Sequence, residues 1–202
     1  MELRAMTRAE MPGWYERELC EAFPPNERKP LADFFALMDA GRYELLGLYE
    51  DGVLLGYAGL WSHPEYPEYV LLDQLGVTAA RRNGGLGGAL LALLVERCGG
   101  GMCIITEAEC PIPQAPPEEN ALRERRLGFY ERAGFHRAYE MGTCGMRFQT
   151  LIAGPSEEQR LMEAHRAIYG PARTDVKVPL APGEPLPMPY WMEGQEDGCA
   201  DS

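Results

Sequence analysis

Residues 75–91 read Leu-Gly-Val-Thr-Ala-Ala-Arg-Arg-Asn-Gly-Gly-Leu-Gly-Gly-Ala-Leu-Leu. An apolar strand ends, glycines make a tight loop, and a Leu/Ala-rich helix begins. Such a loop exposes backbone N–H groups at a helix N-terminus, where the helix dipole also favours an anion. Glycine matters because a side chain would hold a phosphate away from the backbone. The pattern is not the Gly-x-Gly-x-x-Gly of a dinucleotide fold with its downstream acid, nor the Gly-Lys-Ser/Thr of a P-loop.

The flanking sequence predicts a mixed α/β (α+β) sandwich with a mainly antiparallel sheet. A helix is expected over 7–20, with Thr7 as N-cap and Glu10 completing a capping box. The prolines of 23–30 interrupt it, and a second helix over 31–40 stops at Gly41. Strands over 43–49 and 53–61 flank Asp51-Gly52, a hairpin signal. A third strand spans 69–77. After the glycine loop come a helix over 89–98, a strand over 102–109, a helix over 118–133 and a hairpin over 136–152. The order is αα-βββ-α-β-α-ββ. Residues 1–153 read as one domain and 154–180 as a helical extension, with Ser156 as N-cap. Residues 181–202 form a tail with four prolines, five acidic residues and no Lys or Arg, which reads as extended. Tyr190-Trp191-Met192 is its one sticky point, suited to docking on the core or on a second subunit.

Three motifs in register resemble the GNAT N-acyltransferase superfamily. Arg82-Asn83-Gly84-Gly85-Leu86-Gly87 is similar to its pyrophosphate loop, Arg/Gln-x-x-Gly-x-Gly/Ala. Residues 71–77 are similar to its acetyl-binding strand. Residues 127–135 (Leu-Gly-Phe-Tyr-Glu-Arg-Ala-Gly-Phe) look like its Phe/Leu-Tyr-Glu-x-x-Gly-Phe helix end. The resemblance covers about residues 1–150. It implies acetyl-CoA as co-substrate, bound by Leu75, Gly76, Val77, Arg82, Asn83, Gly84, Gly85, Leu86, Gly87, Gly88 and Ala89. The thioester would lie between two splayed parallel strands, its carbonyl on a backbone N–H near Gly76 and Val77. Where the family often has Asn and Ala on the later helix, this chain has Arg123 and Arg126. Arg126 or its neighbour could meet phosphates, or the arginines could form a solvated helix face.

Transfer to an amine needs a neutral nucleophile, a polarised carbonyl and a proton for the departing thiolate. Tyr130 matches the family tyrosine that points at the sulfur, and a phenol supplies a proton without being charged at rest. On the strand over 102–109, Cys103, Ile105, Glu107 and Glu109 share one face. Glu107 is the favoured base and Glu109 an orienter or cation anchor; the equal alternative is that both simply meet nearby arginines. Asp73 is a second base candidate. Glu27, in the proline-rich loop, could bind the amine, and His63 could line the acceptor pocket.

Charge supports the choice of acceptor. Nineteen Lys+Arg against 31 Asp+Glu give −12, which disfavours nucleic acid and anionic membranes and attracts a cationic amine. Six cysteines without a CxxC pair and three histidines give no zinc spacing, so no metal is expected. The thiols read as reduced and the protein as cytoplasmic, a monomer or homodimer. A small cationic metabolite is slightly favoured over a protein or peptide amine. A CoA-binding module without turnover is the non-enzymatic alternative.

Overall fold

The structure is a computed structural model and describes residues 1–82 and 84–193. Asn83 and the last stretch of the tail, 194–202, lie outside the described residues.

Seven strands form one sheet in the order β1-β2-β3-β4-β5-β7-β6. They are β1 (Glu2–Ala5), β2 (Tyr43–Glu50), β3 (Val53–Ser62), β4 (Tyr69–Val77), β5 (Cys103–Glu109), β6 (His136–Thr143) and β7 (Met146–Ala153). Every registered neighbour pair is antiparallel except β4 with β5. The mixed, mainly antiparallel architecture expected from the sequence is thus the observed one. Strand β1 is an addition at the edge, too short to show a period of its own. Asp51 and Gly52 take positive φ (50° and 79°), as a tight hairpin turn between β2 and β3 requires.

Among the described residues six α-helical segments cover the two faces: α1 (Met11–Trp14), α2 (Cys20–Ala22), α3 (Leu31–Asp39), α4 (Leu86–Cys98), α5 (Pro117–Arg132) and α6 (Glu158–Tyr169). A π-helical turn, Tyr15–Leu19, joins α1 to α2. The first helix starts later than expected. The Glu10 carboxylate accepts from Thr7 N–H at 2.7 Å, half of the expected capping box, but it also pairs with Arg4 at 2.7 Å, and Glu10 itself is the N-cap. Ser156 is not the cap of α6 either. Glu157 is, its carboxylate accepting from Gln159 and Arg160 N–H, and a carboxylate is favoured there by the helix dipole.

The side-chain alternation of β5 separates two cores. Cys103 and Ile105 join Trp14, Phe34, Tyr43, Tyr57, Trp61, Ile168 and Tyr169 on one face. Ile104 and Ala108 join Leu90, Leu91, Leu94, Leu127 and Tyr130 on the other. Helices α1, α3 and α6 therefore cover the first face, α4 and α5 the second. Edge-to-face aromatic pairs run across the first face: Trp14–Phe34 (5.6 Å), Phe34–Tyr43 (5.1 Å) and Trp61–Tyr169 (5.2 Å). Each such pair contributes about 0.5–1.5 kcal/mol beyond its buried area. They fasten both the N-terminal segment and the C-terminal helix to the same surface.

The chain after α6 is extended, as its prolines imply, and it docks on the core. Gly142 and Lys177 exchange backbone hydrogen bonds at 3.0 and 2.8 Å, Leu180 N–H donates to Glu140 (2.9 Å) and Gly145 N–H to Pro187 (3.1 Å). Among the described residues no helix is long and apolar enough to cross a membrane.

Candidate active site

The register between β3 and β4 slips between Gly59 and Leu60: Gly59 faces Gln74 and Leu60 faces Leu72, so Asp73 is an extra residue, a bulge. A bulge bends its strand and interrupts pairing. Accordingly the parallel register of β4 with β5 runs from Tyr69↔Cys103 only to Leu72↔Thr106. Past that point the strands diverge and open a cleft of about 540 Å³ through the sheet.

The free edge of β4 presents backbone donors to this opening. Thr78 N–H donates to Leu55 on β3 at 3.0 Å. Strand amides alternate sides, so those of Leu75 and Val77 point away from β3, into the gap. Gly76 sits between them because a Cβ there would collide with the Tyr57 ring. The glycine loop adjoins on the α4–α5 face. Gly85 holds φ +76°, a conformation that favours glycine. Ala89 N–H is the first of α4 to meet a helical carbonyl, that of Gly85 at 3.2 Å. Among the described residues the N–H groups of Leu86, Gly87 and Gly88 meet no acceptor, and α4 has no side-chain cap. Arg82 and Gly87 line the cleft with Leu75, Gly76 and Val77. Gly84, Gly85, Leu86, Gly88 and Ala89 form the adjoining turn and first helical residues. A diphosphate fits this cradle.

Tyr130 reaches the cleft from α5, next to Thr106. It is buried against Phe129 and Phe135 (5.2 and 5.6 Å between centroids). Burial raises its pKa, opposed by Thr106 and Arg126. The phenol thus keeps its proton at neutral pH.

The carboxylates divide by their partners. Asp73 accepts from Lys29 Nζ (3.0 Å) and from the Tyr43 hydroxyl (2.9 Å). The buried ammonium also stands 3.8 Å from the Trp61 ring centroid, so Asp73 is committed to an ion pair. Glu109 is committed too, to Arg123 and Arg126 at 3.0 Å each. These arginines thus meet a carboxylate of β5, an arrangement outside the phosphate contact and the solvated face offered for them from the sequence, and Arg126 also lines the cleft.

Glu107 accepts from His165 Nε2 (2.7 Å) and the Tyr169 hydroxyl (2.7 Å). A carboxylate only accepts, so Nε2 carries the hydrogen; Nδ1 stands 2.9 Å from the Tyr139 hydroxyl, within hydrogen-bond distance. Both oxygens of Glu107 are thus occupied by donors.

Glu27 differs from all of these. It ends the 3₁₀ turn Pro25–Glu27, which Asn26 ties to the Cys144 carbonyl at 2.8 Å. Among the described residues its carboxylate has no hydrogen-bond partner. Burial, then repulsion from Glu109, raises its pKa to about 7, opposed by Arg126.

The C-terminal residues complete the wall on this face: sequence reading offered Tyr190-Trp191-Met192 as a docking point but missed Arg173, His165 and Tyr169. Arg173 bonds Asp175 (2.8 Å) and Thr143 (2.7 Å). Its guanidinium lies 4.9 Å from the Tyr169 ring and 4.7 Å from that of Trp191. Trp191 Nε1 donates to Pro25 O at 3.3 Å. For His165 and Tyr169 the available signal was the spacing of Leu161, Ala164, His165, Ile168 and Tyr169, which puts a histidine and a tyrosine on an apolar helix stripe. His63 lies outside the cleft, in a separate groove with Arg42 and Arg166.

A sheet opened between parallel strands, with a glycine turn on one face, defines an acyl-CoA-binding class of fold. Residues 8–135 match the Acetyltransferase (GNAT) family, and the chain belongs to it. It is 32% identical over 138 residues to YjbC of Bacillus subtilis (strain 168), covering 64% of this chain and 59% of that protein. The chain thus spans somewhat over half the length of that relative. Among solved structures, a GNAT-family protein from Bacteroides thetaiotaomicron superposes with TM-score 0.66 at 22% identity, over 84% of this chain and 99% of the other. The structure of yncA from Salmonella typhimurium with acetyl-CoA gives 0.55 at 22% identity, over 78% and 95%. At these identities the likeness is one of fold.

Proposed function

We propose that this protein moves the acetyl group of acetyl-CoA to the primary amine of a small cationic metabolite. One observation carries the reading: Tyr130, a protonated phenol, and Glu27, a carboxylate titrating near neutrality, line one opening. Acetyl-CoA is held by the Leu86–Gly88 amides and Arg82, with the Leu75 or Val77 N–H on the thioester oxygen. The amine enters from the face of α3 and α6.

Glu27 takes the proton of the ammonium, in place of the Glu107 favoured from the sequence. The reason is occupancy: Glu107 is saturated by His165 and Tyr169, whereas Glu27 is free and its pKa matches the task. Glu107 then serves as a fixed negative charge that attracts the cationic amine. The freed nitrogen forms its bond to the acetyl carbon as the carbon–sulfur bond breaks. Tyr130 delivers its proton to the departing sulfur and regains one from the nitrogen as the amide forms, so no charge is left on the phenol. Preorganised donors such as the β4 amide act where charge develops, and so lower the barrier rather than tighten ground-state binding. Asp73 and Glu109 keep structural ion pairs. Trp191 narrows the acceptor side, which supports a small molecule over a folded protein.

Thiol release from acetyl-CoA with a panel of mono-, di- and polyamines, amino acids and peptides tests this. Release with small cationic amines is expected. Binding of CoA with no release for any amine would instead identify a non-catalytic binding module.

A further inference from the structure

The bulge at Asp73 shifts the next residue, Gln74, onto the acceptor face. Gln74 faces Gly59 across the sheet, and a Cβ built on Gly59 would lie 3.3 Å from the Gln74 Cβ and against the Tyr43 hydroxyl. Gln74 lines the cleft one residue before Leu75, whose N–H points into the gap. It is only 6% exposed. Among the described residues its Oε1 is buried with no hydrogen-bond partner.

A buried acceptor without a donor is a standing cost, and each such group calls for a partner or a functional role. The other orphaned buried atoms, Trp14 Nε1, Trp61 Nε1 and Thr150 Oγ1, belong to residues that do not line the cleft. Oε1 can only accept, so its missing partner is an N–H or O–H. Two hydroxyls that face the same side, those of Tyr43 and Tyr169, are spent on Asp73 and Glu107.

We propose that Gln74 is an acceptor-binding residue, its carboxamide oxygen accepting an N–H of the incoming amine beside the open edge of β4. The proposal rests on the acetyl-transfer reading. In it, Glu27 removes one proton from the amine while Gln74 holds another N–H, so the lone pair is left facing the thioester carbon. A neutral acceptor suits this role, because a second titrating carboxylate would compete for the proton.

The test replaces the carboxamide by an apolar group of similar length, Gln74→Met, with Gln74→Leu as a second variant. KM for the best amine, KM for acetyl-CoA and Tm are measured for each. The amine KM is expected to rise about tenfold or more, the loss of a hydrogen bond to a polar or charged group. KM for acetyl-CoA stays unchanged and Tm is equal to or above that of the wild type, because the orphaned oxygen is gone. An unchanged amine KM in both variants overturns the proposal. So does a fall in Tm with both KM values rising together, the mark of a structural residue. Absence of thiol release by the wild type with every amine overturns the transfer reading itself, and the role of Gln74 with it.

Discussion

His165, sealed in the core on α6, donates its Nε2–H to the Glu107 carboxylate across 2.7 Å. A helix beyond the stretch that matches the family thereby sets the state of a carboxylate inside the cleft. Replacing His165 by Phe strands Glu107 Oε1 and the Tyr139 hydroxyl together. A loss of about 1–3 kcal/mol is expected, from the cost of buried polar groups left unpaired. Tyr139→Phe, which removes only the outer partner, should cost about 1 kcal/mol. Urea midpoints of both variants decide; equal losses would show that the chain does not act in that order.

Glu27 should govern the pH dependence. It works as a base only when ionised, so kcat/KM for the amine rises with pH through about 7. In Glu27→Gln that limb disappears and the rate falls by roughly 10²–10⁴. The same group affects stability in the opposite sense. Its folded pKa is raised from 4.5 to about 7, so the folded state holds the proton more tightly. The contribution is complete below pH 4.5 and is lost as pH rises through 7. Between pH 4.5 and pH 8, Tm of Glu27→Gln should therefore gain on that of the wild type. A constant difference across that range would remove Glu27 from this role.

Tyr130→Phe keeps the ring against Phe129 and Phe135 and deletes only the proton. Turnover should fall by roughly 10²–10⁴ with Tm and KM for acetyl-CoA unchanged. The fall should be the same for every amine in a panel, because the proton goes to sulfur and not to the acceptor. An amine-dependent loss would place Tyr130 on the acceptor instead.

Lys29 and Asp73 are 7% and 13% exposed at a separation of 3.0 Å. Burial lowers the Lys29 pKa and Asp73 opposes that shift. Lys29→Met or Asp73→Asn alone should cost about 3–5 kcal/mol, since each leaves a buried group without its partner. The double variant should lose clearly less than the sum. Additive losses in denaturant unfolding would show the pair to be independent, and would reopen Asp73 as a base.

Much of the fold was written in local patterns. Asp51-Gly52 announced its hairpin, the apolar run of β4 its strand, and the glycines their loop, because each depends on backbone sterics within a few residues. Tyr130 and the cradle of Leu86, Gly87 and Gly88 belonged to motifs of the same local kind. Glu107 and Glu109 were rightly put on one face, since alternation along a strand is local too. Their division of labour was not legible. It depends on which donors reach them, and those come from α5 and from α6, more than ten residues away in one case and more than fifty in the other. The same holds for Glu27, whose raised pKa arises from burial and from carboxylates on another strand, and for Gln74, which a single bulged residue turns toward the acceptor. Sequence alone determined most of the elements and the glycine turn, whose interactions are short-range. Tertiary structure decided which carboxylates are free, because desolvation and pairing depend on what the rest of the chain packs against them.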